Sequence, residues 1–296
     1  MGRPLLLTVV GAGVVGLSCA VALREAGFAV QVVAAEGPTT SEVAGGLWLP
    51  YATAADERTL GWAVTTYEWL EAAGHPLVDY LHMERDEPHW LGALPPGRLR
   101  AARAGELPPG RVRGWVARVP LVEVPRHLAA LRGRAGDLRV RRVASLDDVD
   151  GDLVVNCGGV GAAALAGDDT VVPVRGQVVL VRAPAAVPCL CDEDELTYVL
   201  PRPDVCVLGG THQPGDADLA PREHETRDIL ERCRRLVPAL ERAEVLGARA
   251  GLRPVRRGGV RLEREGRVIH CYGHGGAGIT LSWGCAQEVV RLARQA

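Results

Sequence analysis

The chain has 296 residues, 34 basic against 36 acidic side chains and a formal net charge of -2, and 47% of it is apolar. That balance excludes a dedicated nucleic-acid binder, which carries a basic excess, and the length suggests about two domains with a sizeable core. All 34 basic residues are arginine, which excludes a lysine Schiff base, a Walker-type phosphate lysine and a kinase strand lysine.

In chain order, residues 5–10 form a short apolar run closed by glycine, the mark of a buried strand. Residues 14–26 read as a helix with Gly27 in the C-cap role, and residues 29–33 as a second strand, which a right-handed crossover lays parallel to the first. A further helix spans residues 57–73, with Leu60, Val64, Tyr67 and Leu70 on one stripe. Residues 92–113 are rich in Pro, Gly and Arg and predict a long surface loop. A helix opens at Pro125 and runs through Leu131, followed by strands near 138–143 and at 152–156. From Val171 the pattern changes. Residues 174–181 predict a long strand, 198–200 with 205–208 a hairpin, 222–236 a charged amphipathic helix, 255–265 and 268–272 strands, and 279–293 a last helix. This order predicts a parallel α/β core interrupted by a mostly antiparallel insertion.

The eight cysteines show no CxxC spacing and read as reduced thiols of a cytosolic protein. The apolar stretch after Arg3 resembles a secretion signal only superficially. Gly11, Gly13 and Gly16 split it, and it runs on into Arg24, Glu25 and a second strand, so a buried strand-turn-helix explains more of it. No other stretch reaches the ~18 apolar residues of a membrane span, and Arg294-Gln295-Ala296 is not the peroxisomal tripeptide. A cytoplasmic protein without membrane or nucleic-acid partners is expected. Its bias toward Ala, Gly and Arg is that of a GC-rich bacterial genome, and a homodimer is admitted.

Three motifs carry chemistry. Gly11-Ala12-Gly13-Val14-Val15-Gly16 fits G-x-G-x-x-G between a predicted strand and a predicted helix. Its first glycine permits the tight turn, its second lets the backbone approach a pyrophosphate, and the helix N-terminus favours the phosphates. The acidic residue that usually holds the ribose falls at Ala34, and Glu36 lies two places late. Either Glu36 reaches back or another group holds the ribose. NAD and FAD share this fingerprint, so the other two motifs decide between them. These are Ala44-Gly45-Gly46-Leu47-Trp48-Leu49-Pro50-Tyr51, just past Thr39-Thr40-Ser41, and the run from His270 through Gly275-Gly276-Ala277-Gly278-Ile279-Thr280. In the latter a strand enters a glycine-rich turn and then a helix, whose N-terminal amides suit the partly negative N1 and O2 edge of a flavin.

Across most of its length the chain resembles the D-amino-acid oxidases. The likeness is carried by the fingerprint through Leu17-Ser18, Gly46-Leu47-Trp48 with Pro50-Tyr51, Asn156-Cys157 through Val160, and Arg175-Gly176-Gln177. It continues in Tyr198-Val199-Leu200-Pro201, Gly251-Leu252-Arg253-Pro254-Val255-Arg256, Tyr272-Gly273-His274-Gly275-Gly276 and Trp283-Gly284-Cys285-Ala286. The resemblance implies a Rossmann-type FAD-binding domain with an interleaved, mostly antiparallel α+β substrate domain. It implies that Arg253 binds the substrate carboxylate and Tyr198 donates a second hydrogen bond to it. It further implies hydride transfer from the substrate α-carbon to flavin N5, hydrolysis of the imino acid to a 2-oxo acid and ammonia, and reoxidation by oxygen to hydrogen peroxide.

On this reading residues 1–78, 117–170 and 256–296 form the FAD-binding domain, and 79–116 with 171–255 the substrate domain. The FAD residues are Gly11 to Gly16, Ala35, Glu36, Thr39, Thr40, Ser41, Gly45, Gly46, Leu47, Val160 and Gly275 to Thr280, the last run taking in Gly276, Ala277, Gly278 and Ile279. Arg253, Tyr198, Gly276 and Tyr51 face the substrate. No residue is assigned as acid or base, because hydride transfer from a neutral amine needs none, and no metal is expected. An arginine fork in a desolvated pocket is the strongest anchor for a carboxylate, and Arg256 suits an interdomain salt bridge. Animal members carry a second tyrosine on a longer lid. Here that region is Cys191-Asp192-Glu193-Asp194-Glu195, expected to form a short acidic lid. Leu47, Leu49 and Tyr51 make the pocket apolar, so neutral D-amino acids are the expected substrates. The rivals are a sister oxidase of D-aspartate or glycine and, in another class, a nicotinamide-dependent dehydrogenase.

Overall fold

The structure, a computed structural model, describes residues 4–184 and 186–296. Strand Leu6–Val10 is apolar apart from Thr8 and almost wholly buried, as a central parallel strand must be. It pairs in parallel with Ala29–Ala34 on one side and Leu153–Asn156 on the other. Asp137–Val140 extends the sheet past Ala29–Ala34, and Val268–Tyr272 extends it past Leu153–Asn156. An antiparallel edge strand, Arg261–Glu265, completes six strands. Helices Val14–Glu25 and Gly278–Ala293 pack together against this sheet, with Glu57–Ala72 behind the second of them. Trp69 and Trp283 stack with centroids 4.2 Å apart where Glu57–Ala72 meets Gly278–Ala293. All eight cysteines are buried free thiols.

The second sheet has nine strands and draws them from residues 77–120 and 171–256. Its backbone is the pair Val171–Arg182 and Val245–Arg256, each twelve residues long and antiparallel. Among the described residues every pairing in it is antiparallel except that of Leu77–Met83 with Cys189–Asp192. Mixed parallel and antiparallel sheets in one α/β chain are what the sequence predicts.

Several elements differ from the sequence expectation. The single strand expected over 255–265 is two: Val245–Arg256 begins ten residues earlier, and Arg261–Glu265 belongs to the other sheet. Leu77–Met83 and Trp115–Pro120 were not expected as strands. They interleave polar side chains with apolar ones, and the buried His82 among them is satisfied by Tyr80 and Glu84 at 2.9 and 3.0 Å. The expected loop holds a short strand, Leu99–Ala101. The acidic lid is instead the end of strand Cys189–Asp192 and a tight turn leading directly into Thr197–Pro201.

Two ion clusters, the first buried, fasten the sheets and their helices. Arg175 is fully buried and donates to Asp218 O, Ala220 O, Gln213, Glu225 and Gln177 at 2.6–3.0 Å, so every donor of its fork has an acceptor. Burial pushes the Glu225 carboxyl up, but hydrogen bonds from Arg175 and Gln213 outweigh it and hold the group below its usual range. Asp168 joins the two sheets. It accepts from Arg256 at 2.8 Å, from the Tyr272 hydroxyl at 2.8 Å and from Thr170 N at 3.0 Å. The Thr170 hydroxyl first, then Arg256 and Tyr272, hold its carboxyl far below the usual range. A depressed carboxylate contributes stability above the unfolded-state pKa of about 4 and loses it as pH falls toward the folded value. Asp168→Asn should therefore cost about 1–3 kcal/mol at pH 7. The gap to the unsubstituted protein should narrow below about pH 4, as urea titrations over a pH series will read.

Candidate active site

A cavity of about 780 Å³ runs from the fingerprint turn to the face of the antiparallel sheet, so its walls come from both sheets. At the fingerprint end, Gly11 sits at φ +112, and a Cβ there would collide with the Cys157 carbonyl. Only glycine fits this turn. Helix Val14–Glu25 begins here without a side-chain cap from its own N-cap, Gly13, and the Ser41 hydroxyl accepts from Val14 N at 2.9 Å. The remaining first-turn amides are open to an anion. Ala34, Ala35 and Glu36 follow on the rim at the end of Ala29–Ala34, and Glu36 is exposed to solvent. Thr39 begins the short helix Thr40–Val43, its amide donating to Glu42 at 2.8 Å, while Thr40 donates to Leu252 O at 2.8 Å. Gly45, Gly46, Leu47 and, from the turn Gly159–Gly161, Val160 continue the wall.

The glycine-rich turn closes the middle of the cavity. Gly275, Gly276, Gly278 and Ile279 are on the wall, and helix Gly278–Ala293 also starts without a side-chain cap. Ala277 and Thr280, expected to touch the cofactor, are not on it. Both are buried, and Thr280 instead ties the loop bearing Tyr51 to the helix. Its hydroxyl donates to Leu49 O at 2.8 Å and accepts from Leu49 N at 3.0 Å. His274 is buried on the wall, and its Nε2 has no partner among the described residues. Uncapped helix N-termini, an unpartnered buried ring nitrogen and a glycine-lined wall fit an extended dinucleotide with a flavin at the turn.

Arg253, Tyr198, Tyr51 and Gly276 meet at the other end. Strand register sets this: Arg253 pairs with Val174 while Gly251 pairs with Gly176, so the Arg253 guanidinium lies across Gly176, where any Cβ would strike it. The guanidinium donates to Thr211 O at 2.9 Å and to Arg175 O at 3.4 Å, and no carboxylate pairs with it among the described residues. Burial raises the Tyr198 hydroxyl and the Arg253 charge works against that rise, so the two groups are neighbours. Tyr51 lies against Gly276, and burial pushes its hydroxyl up to about 12. That hydroxyl is 3.4 Å from His212 Nδ1. Burial first, then Arg253, hold His212 below its usual pKa.

Sequence reasoning missed Thr211, Cys191 and Glu193, all on this wall. The signal for two of them was the hairpin register. Tyr198 pairs across strands with Cys191, and Glu193 is two residues on, the spacing that returns to the same face of a strand.

A family model described as FAD dependent oxidoreductase matches residues 7–292. The D-amino-acid oxidase of Rubrobacter xylanophilus is 44% identical, the match covering 96% of this chain and 94% of that protein. The D-amino-acid oxidase of Streptomyces coelicolor is 41% identical over 97% of this chain and 96% of that one. Among solved structures, glycine oxidase from Geobacillus kaustophilus superimposes with a TM-score of 0.81 at 21% identity, covering 98% of this chain and 95% of that one, a likeness of fold. With the fingerprint turn, the glycine-rich turn and the arginine end placed along one cavity, the chain belongs to the D-amino-acid oxidase family of FAD-dependent oxidoreductases.

Proposed function

We propose that this protein oxidises D-amino acids to 2-oxo acids, ammonia and hydrogen peroxide, with oxygen as the final acceptor. The observation that carries the reading is the Arg253 guanidinium on the cavity wall, which donates to the Thr211 and Arg175 carbonyls beside Tyr198 and has no carboxylate partner among the described residues. A structural arginine in this fold looks different: Arg175, one strand away, is saturated by Glu225 and four further acceptors. Arg253 would receive the α-carboxylate as a charge-assisted fork, and Tyr198 would donate to the same group. FAD supplies the acceptor for the α-hydrogen and its electron pair. The residues around it need only position and dehydrate the substrate, so no side chain is assigned as acid or base. The expected cofactor domain, residues 1–78, 117–170 and 256–296, is kept with its edges moved to the strand ends, because Leu77–Met83, Trp115–Pro120 and Val245–Arg256 belong whole to the sheet of the substrate side.

The arrangement also orders substrates. With the carboxylate fixed at Arg253, exchanging side chain and hydrogen on the α-carbon turns the transferable hydrogen away from the acceptor, so L-enantiomers are excluded. An acidic side chain would need a second cation. The other arginine on the wall, Arg249, is exposed and its charge is felt at Glu42 and Arg202. An unpaired buried carboxylate is costly, so D-aspartate and D-glutamate are disfavoured against neutral side chains.

The purified protein should be yellow, with one FAD per chain, and should bleach on anaerobic addition of D-alanine; absorption spectra test both. Arg253→Leu should keep the flavin spectrum and lose about 2–5 kcal/mol of transition-state stabilisation, a factor of tens to thousands in kcat/KM. Tyr198→Phe should lose less, about 0.5–2 kcal/mol, because one hydrogen bond goes and the ring stays. Peroxide release across D- and L-amino acids should favour neutral D-substrates over D-aspartate and D-glutamate and rise with pH in the alkaline range as the substrate amine deprotonates. D-aspartate as the best substrate would overturn the side-chain argument.

A further inference from the structure

The turn between Cys189–Asp192 and Thr197–Pro201 carries four consecutive acids, and three of them are paired. Asp192 is fully buried against Arg111, Asp194 meets Arg85 at 3.4 Å, and Glu195 meets Arg111 at 3.4 Å and Arg235 at 3.7 Å. Glu193 differs from its neighbours. Among the described residues its carboxylate has no cation, the one hydrogen bond that carboxylate accepts comes from the Cys191 thiol at 3.6 Å, and it stands on the cavity wall. Besides Glu36 and Arg249, which are exposed to solvent, the cavity wall thus carries two charged groups of opposite sign with no ion pair among the described residues, Arg253 and Glu193. Tyr51 feels the charge of both, which puts them within electrostatic reach of one bound molecule.

We infer that Glu193 is a specificity-determining residue that admits D-amino acids whose side chain ends in a cation, such as D-arginine, D-lysine and D-ornithine. The side-chain ammonium or guanidinium docks on Glu193 while Arg253 holds the α-carboxylate. This rests on the oxidation of D-amino acids proposed above and names a substrate class for that site. The α-amine is the wrong partner for Glu193: it must react as the free base, and a carboxylate that held it as an ammonium would oppose the reaction. A side-chain cation carries no such conflict.

The surroundings of Glu193 agree with this. Burial, and the nearby charges of Glu84, Asp194 and Asp192, push its carboxyl up to about 7. A cation reverses that penalty, and the protonated form leaves the pocket open to neutral side chains. Acidic side chains meet like charge.

The test is steady-state peroxide release by the FAD-loaded protein with D-arginine, D-lysine, D-methionine and D-alanine, for the natural chain and for Glu193→Gln and Glu193→Leu. The natural protein should oxidise D-arginine and D-lysine. Both substitutions should lower the kcat/KM ratio of D-arginine to D-methionine by on the order of 10- to 100-fold, mainly through KM for the cationic substrate. If both substrates fall together and the ratio holds, Glu193 acts on the α-amine or on the fold and the inference is overturned. It is also overturned if the natural protein oxidises D-methionine but not D-arginine, a result that leaves the oxidase reading standing. If no D-amino acid is oxidised, both readings fall.

Discussion

The Arg253 guanidinium rests across a residue that has no side chain. Gly176 clears the surface on which the fork lies, and its neighbours Arg175 and Gln177 turn to the opposite face of the same strand. Strand alternation makes this division unavoidable. One face of Arg175-Gly176-Gln177 is welded to helix Glu223–Leu236 through Glu225 and Thr226, and the other is bare backbone facing the cavity. The weld holds the bare face still. Gln177 also donates its amide N–H to the Thr211 hydroxyl, and the Thr211 carbonyl accepts from Arg253, so the same short segment fixes the arginine from beneath and from the side.

This explains how the arginine end of the cavity can be made from residues far apart in sequence. Arg253 enters from Val245–Arg256, Tyr198 and Cys191 from a hairpin further along the same sheet, and Tyr51 from a loop that Thr280 pins to a helix packed on the other sheet. Each is placed by backbone register or by a hydrogen bond to main chain. Such placement tolerates changes in the exposed loops and does not tolerate a residue inserted in either long strand, since a slip of one position would turn Arg253 to the wrong face.

The parts legible in the sequence were those whose chemistry is local. The fingerprint turn needs its glycines within six residues, and its neighbours show period-2 and period-3.6 patterns that survive without tertiary context. Arg253 stood out because it interrupts an otherwise apolar and glycine-bearing segment. What escaped was non-local. Leu77–Met83 looks irregular until His82 finds Tyr80 and Glu84, and the role of Arg175 depends on a helix that begins some fifty residues later. Glu193 was hidden inside a run of acids, because composition cannot say which member of such a run faces inward. Thr280 was misplaced for the opposite reason: it sits beside glycines that do line the cavity, but helical rotation points it at Leu49.

A cavity whose walls are shared by two sheets also makes its occupant part of the structural framework. Asp168 is a direct clasp between the sheets, and a cofactor held in this cavity, as proposed above, would be a second one that comes and goes with concentration. By mass action, a ligand that binds only the folded chain adds about 2.7 kcal/mol of resistance to unfolding at a hundredfold excess over its dissociation constant. Endurance on storage, dilution or heating is therefore governed by the free flavin in solution as much as by the amino-acid sequence.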